Sequence, residues 1–345
     1  MSEVSDVEPK QTPPKKRRWR QYLKWLAIGL VVLVVAVELI LRFVVGLGDP
    51  PLLVSDPDME YRFAPSQTVH RFGNLVHYNA YSQRADDFPE HKTNSQELRV
   101  LMVGDSVING GVQTDQSQLI NTLLQRRLSD ALHRPVIVGN ASAASWGPPN
   151  ELAYVKKFGF FDADVVVLVL NDEDAFDAMT FDPVVGRDPD YPNHKPILAL
   201  TELFTRYLPR FTARFKAPPS APPSVPQDQA LPICMDAIRQ FVSLARAHGA
   251  FVLMGEQHEL FFESRASMRP MLEKGRAEIE HIAQDLNVPL IEWDAQLKQA
   301  EAQGKQTYRA GDFIHPSLLG DQIIADALYQ PILDALTQST TQPAR

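Results

Sequence analysis

Short apolar runs alternate with longer amphipathic segments over most of the chain. The runs are continuous rather than alternating, which is typical of strands covered on both faces of a parallel sheet. Such runs predict strands at residues 98–103, 136–138, 165–170, 251–254 and 289–291. Amphipathic segments predict helices at residues 117–132, 150–158, 229–247, 269–286 and 320–336. This alternation predicts an α/β fold, with a parallel sheet wrapped by helices through right-handed crossovers.

One apolar stretch near the N-terminus is longer than any predicted strand. Residues 25–48 can cross a bilayer core of about 30 Å as a helix, and Glu38 and Arg42 interrupt them four residues apart. We favour a single-pass transmembrane anchor over a cleaved signal peptide. The basic head, residues 1–24, then lies in the cytoplasm of a bacterium. The rest of the chain lies outside the inner (cytoplasmic) membrane, in the periplasm if the cell is Gram-negative.

Two further segments depart from the strand–helix alternation. Residues 53–97 predict a β-rich lead-in to the main domain, 98–336. Residues 181–230 are interpreted as an insertion that includes a proline-rich spacer, 217–226. Its residues 197–215 can form an amphipathic helix. A solvated insertion is the favoured interpretation, and the alternatives are a flap over a functional site or a surface that rests on anionic lipid.

Composition narrows the classes of function. The chain has 345 residues, of which 44% are hydrophobic, enough for one large core. The net charge of −8 hides a basic N-terminus, so the remainder is distinctly acidic, which argues against a nucleic-acid partner. The only cysteine, Cys234, excludes an internal disulfide. Neither a Gly-x-Ser-x-Gly motif nor a glycine-rich phosphate loop is present, which argues against α/β-hydrolases and nucleotide binding.

The candidate chemistry lies at two distant points of the chain. Ser106 follows the first predicted strand, and a strand-to-helix turn would expose its hydroxyl and aim main-chain N–H groups at an oxyanion. Asp312 precedes His315 by three residues, so the carboxylate can hold one imidazole nitrogen and leave the other facing Ser106. Together these residues supply a nucleophile, a base and an orienting carboxylate, the set needed for acyl transfer through serine.

Other polar residues are given structural interpretations. The acidic residues at 172–177 invite interpretation as a calcium or magnesium site. No further ligand spacing of a known loop follows them, so we expect a solvated acidic turn and neither a metal nor a cofactor. His248, His258 and His281 are isolated in the sequence and are expected at the surface or in loops.

These motifs resemble those of the SGNH (GDSL) hydrolases over about residues 98–330. In that family four blocks supply Ser, Gly, Asn and His, and an Asp lies three residues before the His. The first and last blocks match at Ser106 and at Asp312 with His315. The resemblance implies a flavodoxin-like three-layer α/β/α fold, a Ser-His-Asp site without a metal, and esters or acyl groups as substrates. The lead-in behind one anchor is also similar to SGNH proteins linked to bacterial exopolysaccharide, which often add or remove acetyl groups on sugars.

The two middle blocks depart from the family pattern. The second keeps Asn140 but has Ser145 where the family has a glycine whose N–H enters the oxyanion hole. That donor survives the change if φ of Ser145 stays negative. The third block has Glu173 at the asparagine position, or Asn171 if the alignment slides by two residues. A glutamate donates only when protonated. The expected oxyanion donors are therefore the N–H groups of Ser106 and Ser145 and the amide of Asn171.

Two functions stay open at this stage. The first is a membrane-anchored serine esterase or O-acetyltransferase that acts on O-acyl groups of an extracytoplasmic carbohydrate. The second is a catalytically weak or inactive subunit that binds polysaccharide or joins an exopolysaccharide synthesis complex. The altered third block is the best support for this second function.

Overall fold

The first element of the chain is a long, exposed helix. The computed structural model describes residues 15–209, 225–258, 267–312 and 314–341. Helix α1 spans Lys15–Ile40 and continues as a π-helical segment, Leu41–Val45. By length and composition, the 28 residues from Arg18 to Val45 can cross a membrane, and their most apolar part is not buried. The first 14 residues of the basic head and most of the predicted proline-rich spacer lie outside the described residues.

Two antiparallel hairpins follow the helix and occupy the first part of the predicted β-rich lead-in. They pair β1 (Leu53–Asp56) with β2 (Glu60–Phe63), and β3 (Gln67–Arg71) with β4 (Asn74–Tyr78). The first hairpin packs on the rest of the domain, since the hydroxyl of Tyr61 donates to the carbonyl oxygen of Ala144 at 2.7 Å.

A five-stranded parallel sheet forms the centre of the domain. Its strands are β5 (Leu98–Gly104), β6 (Val136–Ser142), β7 (Val165–Asn171), β8 (Phe251–Gln257) and β9 (Leu290–Glu292). Across the sheet their order is β6-β5-β7-β8-β9. Counted along the chain, this is the 2-1-3-4-5 order of flavodoxin-like sheets. The predicted α/β fold with a flavodoxin-like parallel sheet is therefore confirmed.

Helices cover both faces of this sheet and complete three layers. They are α2 (Ser106–Asn109), α3 (Ile120–Leu132), α4 (Pro148–Phe158), α6 (Gln227–Ala247), α7 (Arg269–Asp285), α8 (Asp294–Ala302) and α9 (Leu318–Thr341). The short α5 (Ala199–Glu202) lies against the end of the first helix instead. Helices α4, α6 and α7 share an apolar core with one face, and α3, α8 and α9 share a second core with the other. Strands β5 and β7 are buried along their whole length because both faces are covered.

Several element boundaries differ from the prediction by a few residues, and two of these differences have a visible cause. Strand β6 extends to Ser142, so Asn140 lies within a strand and is fully buried, not in a loop. Helix α3 begins at Ile120 because the preceding residues form a separate 3₁₀ turn, capped by the carboxylate of Asp115. In both places side-chain hydrogen bonds, rather than the apolar pattern, determine where the element ends.

The predicted insertion begins against the end of the first helix. The short α5 continues directly into a second π-helical segment, Leu203–Tyr207. An amphipathic helix was predicted over residues 197–215, of which residues 210–215 lie outside the described part. The N–H of Gly48 donates to the carboxylate of Glu202 at 2.6 Å. The exposed apolar part of the first helix ends at Val44, four residues before the end of the predicted anchor.

Candidate active site

Ser106 is the first residue of α2, directly after strand β5. Asp105 caps this helix, and its Oδ1 accepts the N–H of Val107 at 2.8 Å. Position 104 needs a glycine because a Cβ there would lie 2.8 Å from the carbonyl oxygen of Val169. Ser106 is partly exposed between buried neighbours. The hydroxyl thus lies at the carboxyl end of β5, where the strand order reverses and ligands of such sheets bind.

His315 and Asp312 reach Ser106 from the loop before α9. His315 Nε2 lies 2.9 Å from Ser106 Oγ, and His315 Nδ1 lies 2.8 Å from Asp312 Oδ2. The other carboxylate oxygen, Asp312 Oδ1, accepts the N–H groups of Ile314 and His315, each at 3.0 Å. The loop therefore fixes the carboxylate, and the carboxylate orients the imidazole. The structure brings together residues that lie 209 positions apart in the sequence.

Hydrogen bonds keep Asp312 ionised. Burial alone would raise the pKa of this carboxyl, but the His315 side chain and the two main-chain N–H groups hold the pKa well below its usual range. An ionised Asp312 favours the imidazole tautomer with its hydrogen on Nδ1, which leaves Nε2 to accept the hydroxyl proton of Ser106. Both side-chain distances lie within the range that proton transfer needs.

Arg309 joins the two loops of the site, and the sequence did not reveal this role. Its Nη2 donates to the carbonyl oxygen of Gly110, the residue that follows α2, at 3.0 Å. Its Nε donates to the carbonyl oxygen of Pro316 at 3.1 Å, next to His315. One side chain thus bonds both the segment that carries Ser106 and the segment that carries His315. Its partner Gly110 is 199 positions away, and no local pattern marks an arginine for such a contact.

A buried amide network holds α2, the helix that begins at Ser106, over β6. Asn140 Nδ2 donates to the carbonyl oxygen of Ile108 at 2.8 Å, and Asn109 Nδ2 donates to that of Ser142 at 2.9 Å. From strand β4, the hydroxyl of Tyr78 donates to Asn109 Oδ1 at 2.9 Å. The sequence singled out Asn140 alone, because the family resemblance marks that position.

Comparisons with known proteins give matches of structure. No protein-family model matches the chain, and no curated protein matches it either. TesA is 20% identical, with a TM-score of 0.43 over 69% of this chain and 99% of that chain. A lipolytic G-D-S-L protein from Veillonella parvula is 12% identical, with a TM-score of 0.42 over 68% and 97%. A mutant of the acetylxylan esterase Axe2 from Geobacillus stearothermophilus is 13% identical, with a TM-score of 0.42 over 68% and 94%. The chain is similar in fold to SGNH (GDSL) hydrolases.

Ser145, at the glycine position of the second SGNH block, has the backbone conformation of a glycine. Its φ is +56°, so the negative φ that was the condition for keeping the oxyanion donor is not found. A non-glycine residue in this left-handed region costs about 1–2 kcal/mol. The side chain is exposed, and the Ser145 N–H has no hydrogen-bond partner among the residues described. The main-chain N–H of Ser145 is therefore unpaired among the described residues, although φ is positive.

Asn171, the favoured residue for the third SGNH block, is engaged by carboxylates. It is the buried last residue of β7, and its Nδ2 donates to Asp105 Oδ2 and to Asp174 Oδ1, each at 3.0 Å. Two such bonds use both amide hydrogens. Its Oδ1 accepts the N–H of Glu173 at 2.8 Å. In this arrangement the Asn171 amide has no hydrogen left for an oxyanion, and Glu173, the other candidate, is half-buried.

The acidic residues after β7 are largely buried, so the prediction of a solvated turn was wrong. Asp172 and Asp174 are almost completely buried. Burial, together with repulsion from Asp105, raises the pKa values of Asp174 and Glu151 well above their usual range. Neither carboxylate oxygen of Glu151 has a partner among the residues described. The sequence could not show this cluster because α4 contributes Glu151 from outside the acidic run.

Two groups of described residues have a spacing that can hold a metal ion. His258 lies in the loop directly after β8, one of its two expected locations, but it is buried, and its Nδ1 lies 3.0 Å from Asp172 Oδ1. One group is Asp172, Glu256 and His258, and the other is Glu256, Glu280 and Glu292. Arg276 donates to both carboxylate oxygens of Asp172, so a cation would compete with a guanidinium for that ligand. These residues lie at the ends of β7, β8 and β9 and in α7.

Proposed function

We propose that the chain is a serine esterase or acyltransferase that works through Ser106, His315 and Asp312. One observation carries the proposal: Ser106 Oγ lies 2.9 Å from His315 Nε2 while His315 Nδ1 lies 2.8 Å from Asp312 Oδ2. A serine hydroxyl is a weak nucleophile unless a base accepts its proton during attack. This geometry supplies the base and the group that orients it.

The proposed reaction has two acyl-transfer steps. Ser106 Oγ attacks an ester carbonyl carbon while His315 Nε2 accepts the hydroxyl proton, and Asp312 stabilises the imidazolium. The N–H groups of Ser106 and Ser145 donate to the oxyanion, and the Asn171 amide joins them once it leaves Asp105 or Asp174. The imidazolium protonates the departing alkoxide, which leaves an acyl-enzyme. Water or a sugar hydroxyl, deprotonated by His315, then attacks the acyl carbon and releases Ser106.

The proposed substrate is an O-acyl group, such as acetyl, on a carbohydrate outside the cytoplasm. The substrate class follows from the resemblance of the anchor and lead-in to SGNH proteins of exopolysaccharide synthesis. The proposed location is supported by the apolar helix and the basic residues before it. The proposal is thus a single-pass protein of the bacterial inner membrane, with its N-terminus in the cytoplasm and its SGNH-like domain in the periplasm.

Hydrolysis of p-nitrophenyl acetate by the purified full chain, with and without an oligosaccharide acceptor, tests the proposal. We expect p-nitrophenolate release from the wild type and a loss of about 10³-fold or more in Ser106→Ala. The exposed Ser95 provides the matched control, and Ser95→Ala should keep full activity. Acetylated acceptor detected by mass spectrometry would assign a transferase, and acetate alone an esterase. Unchanged hydrolysis and transfer in Ser106→Ala would exclude the proposed nucleophile.

The engaged amide of Asn171 favours a second candidate, a non-catalytic subunit. If both amide hydrogens stay with Asp105 and Asp174, the oxyanion hole lacks a side-chain donor and turnover is weak. The protein would then bind polysaccharide or assemble with a synthase. This candidate predicts calorimetric binding of an acetylated oligosaccharide with no change in the sugar, and the same affinity in Ser106→Ala. Turnover that Ser106→Ala abolishes excludes it.

A further inference from the structure

A group of large apolar side chains is exposed around the C-terminal end of the first helix. We call it the collar, and its members are Phe43, Val44, Phe72, Ile197, Leu198, Phe204 and Leu208. Ile197 is 92% exposed and Phe43 is 77% exposed. Clusters of large apolar side chains that are this exposed are rare on protein surfaces in contact with water. The collar draws on three elements that are far apart in the sequence: the π-helical end of the anchor, the β3–β4 turn and the insertion.

Direct contacts make these three elements one surface. The N–H of Phe72 donates to the carbonyl oxygen of Val45 at 2.8 Å, which ties the β3–β4 turn to the end of the helix. The Phe72 and Tyr207 rings meet edge to face with centroids 5.8 Å apart, which ties the same turn to the insertion. Behind them, Arg71 Nη2 donates to buried Glu202 at 2.6 Å.

The two charges in the predicted anchor are neutralised at this junction. Arg42 and Glu38 form an ion pair at 3.0 Å. The Glu38 carboxylate also accepts the N–H groups of Ala199 and Leu200, at 2.8 and 3.0 Å, and so caps α5. Arg42 Nη2 donates to the carbonyl oxygen of Ile197 at 2.7 Å. The charges of Glu38 and Arg42 are therefore paired or hydrogen-bonded directly beside the collar.

The length of the helix places the collar at the level of the lipid headgroups. The 28 residues from Arg18 to Val45 extend about 42 Å at about 1.5 Å per residue. A bilayer with its headgroup regions is about 40–45 Å thick. A helix that spans it from the basic head would leave the bilayer where the collar begins.

We propose that the collar lies in the outer interface of the bilayer and seats the domain on the membrane surface. This inference rests on the proposed transmembrane anchor and adds a second contact with lipid beyond the helix itself. The occupant is lipid because the collar is continuous with the apolar helix surface. Apolar side chains of this kind insert at the boundary between headgroups and acyl chains. With three elements fixed at the interface, the domain cannot rotate freely on a single helix.

The β3–β4 hairpin connects the collar with the part of the chain that follows Ser106. The β3–β4 hairpin that contributes Phe72 bonds to the segment after α2: Asn74 Nδ2 donates to the carbonyl oxygen of Val112 at 3.0 Å, and the N–H of Leu75 donates to Asp115 at 2.7 Å. The collar and the segment after Ser106 are thus connected through one hairpin. Seating the collar therefore holds the Ser106 site at a fixed height above the lipid.

Depth-dependent fluorescence quenching tests the collar in the full chain. Cys234 is fully buried, so a new surface cysteine can be labelled selectively. The environment-sensitive dye nitrobenzoxadiazole would be attached to Phe204→Cys in the collar, Val31→Cys in the helix, and Gln284→Cys as an exposed control on α7. Each variant would be reconstituted in vesicles of phosphatidylcholine and phosphatidylglycerol, with or without doxyl-labelled lipid.

We expect doxyl lipid to lower the emission at positions 31 and 204 by about twofold or more and to leave position 284 unchanged. Quenching at 31 with no quenching at 204 would overturn the collar while leaving the anchor intact, and would point to a protein partner or to solvent on this surface. No quenching at 31 would overturn the anchor and, with it, the collar. In either case the esterase assay with Ser106→Ala is unaffected, so the catalytic proposal stands or falls separately.

Discussion

At the scale of single residues, the site depends on how Asp312 holds His315. The carboxylate is fixed by two main-chain N–H groups and bonds Nδ1 at 2.8 Å, so the imidazole presents Nε2 to Ser106. In Asp312→Asn the amide can donate to Nδ1 and stabilise the other tautomer. We expect kcat for p-nitrophenyl acetate to fall by about 10²–10⁴-fold with the fold intact. Asp326→Asn, at an exposed surface ion pair, is the control and should keep its rate. Equal rates for the two variants would contradict the orienting role.

Backbone strain at Ser145 gives a second prediction at this scale. Its φ of +56° is unfavourable for every residue except glycine, so Ser145→Gly should raise the free energy of unfolding by about 1 kcal/mol. The N–H is retained, so esterase activity should persist. Ser145→Ala keeps the positive φ and should not raise the free energy of unfolding, so it separates the effect of backbone strain from that of losing the hydroxyl. Urea unfolding gives the free energy of unfolding of both variants, and an equal increase in Ser145→Ala and Ser145→Gly would contradict the role of backbone strain.

Residue-level prediction from the sequence succeeded where a short spacing carries the information. Ser106, His315 and Asp312 stand out because each lies in a local motif, and the structure brings them together. Asn171 was placed correctly at the end of β7, but its partner Asp105 lies 66 positions earlier, so its engaged amide could not be foreseen. Arg309 has no local signal at all. The assignment of catalytic and oxyanion roles stays a prediction until activity is measured.

At the scale of elements, the junction between helix, hairpin and insertion depends on a buried ion pair. Arg71 is completely buried and Glu202 nearly so, and Glu202 also accepts the N–H of Gly48. Removing the Glu202 charge leaves Arg71 buried without its ion-pair partner, with only the carbonyl oxygen of Gly46 and the hydroxyl of Tyr207 to accept its hydrogens, which costs about 3–5 kcal/mol. We therefore expect Glu202→Gln to lower the free energy of unfolding by that order. Glu273→Gln removes an exposed helical pair and should change it by less than about 0.5 kcal/mol. Similar small losses in both variants would contradict the buried role.

Element prediction from the sequence was most accurate in the sheet and least accurate at this junction. Continuous apolar runs identified the five parallel strands of the described sheet. The signal is clearest in β5 and β7, which are buried along their whole length. The charge of Glu38 interrupted the predicted anchor. Besides Arg42, four residues away, its partners are the main-chain N–H groups of Ala199 and Leu200, more than 160 positions away, which the sequence could not show. Hydrogen bonds to the main chain leave no trace in the residue pattern.

At the scale of the whole molecule, buried carboxyls make stability depend on pH. Burial raises the pKa of Glu256 from 4.5 to about 8 and that of Asp177 from 3.8 to about 7. A carboxyl whose pKa is higher in the folded state than in the unfolded state makes its full contribution to folding stability at a pH below its pKa in the unfolded state. This contribution is lost as the pH rises through the pKa of the folded state. The free energy of unfolding should therefore fall between about pH 5 and 8, by up to about 1.4 kcal/mol per pH unit for each group.

Replacing Glu256 tests this dependence. Glu256→Gln should flatten the decline in thermal stability between about pH 5 and 8 and be more stable than the wild type at the upper end. Glu273→Gln serves as the exposed control and should follow the wild-type curve. If Glu256→Gln were less stable than the wild type at every pH, the claim that the Glu256 carboxyl is neutral and unpaired would be contradicted. If chelator removed the difference, the result would instead indicate a cation held by Asp172, Glu256 and His258.

Labelling with a fluorophosphonate, followed by peptide mapping, tests the central claim most directly, because the probe reacts with a serine only when a neighbouring base activates it. The account predicts covalent modification of the folded full chain at Ser106, none at that position in Ser106→Ala, and greatly slowed modification in His315→Ala. A folded wild-type protein that takes up no probe, or that is labelled as readily in His315→Ala, would contradict it.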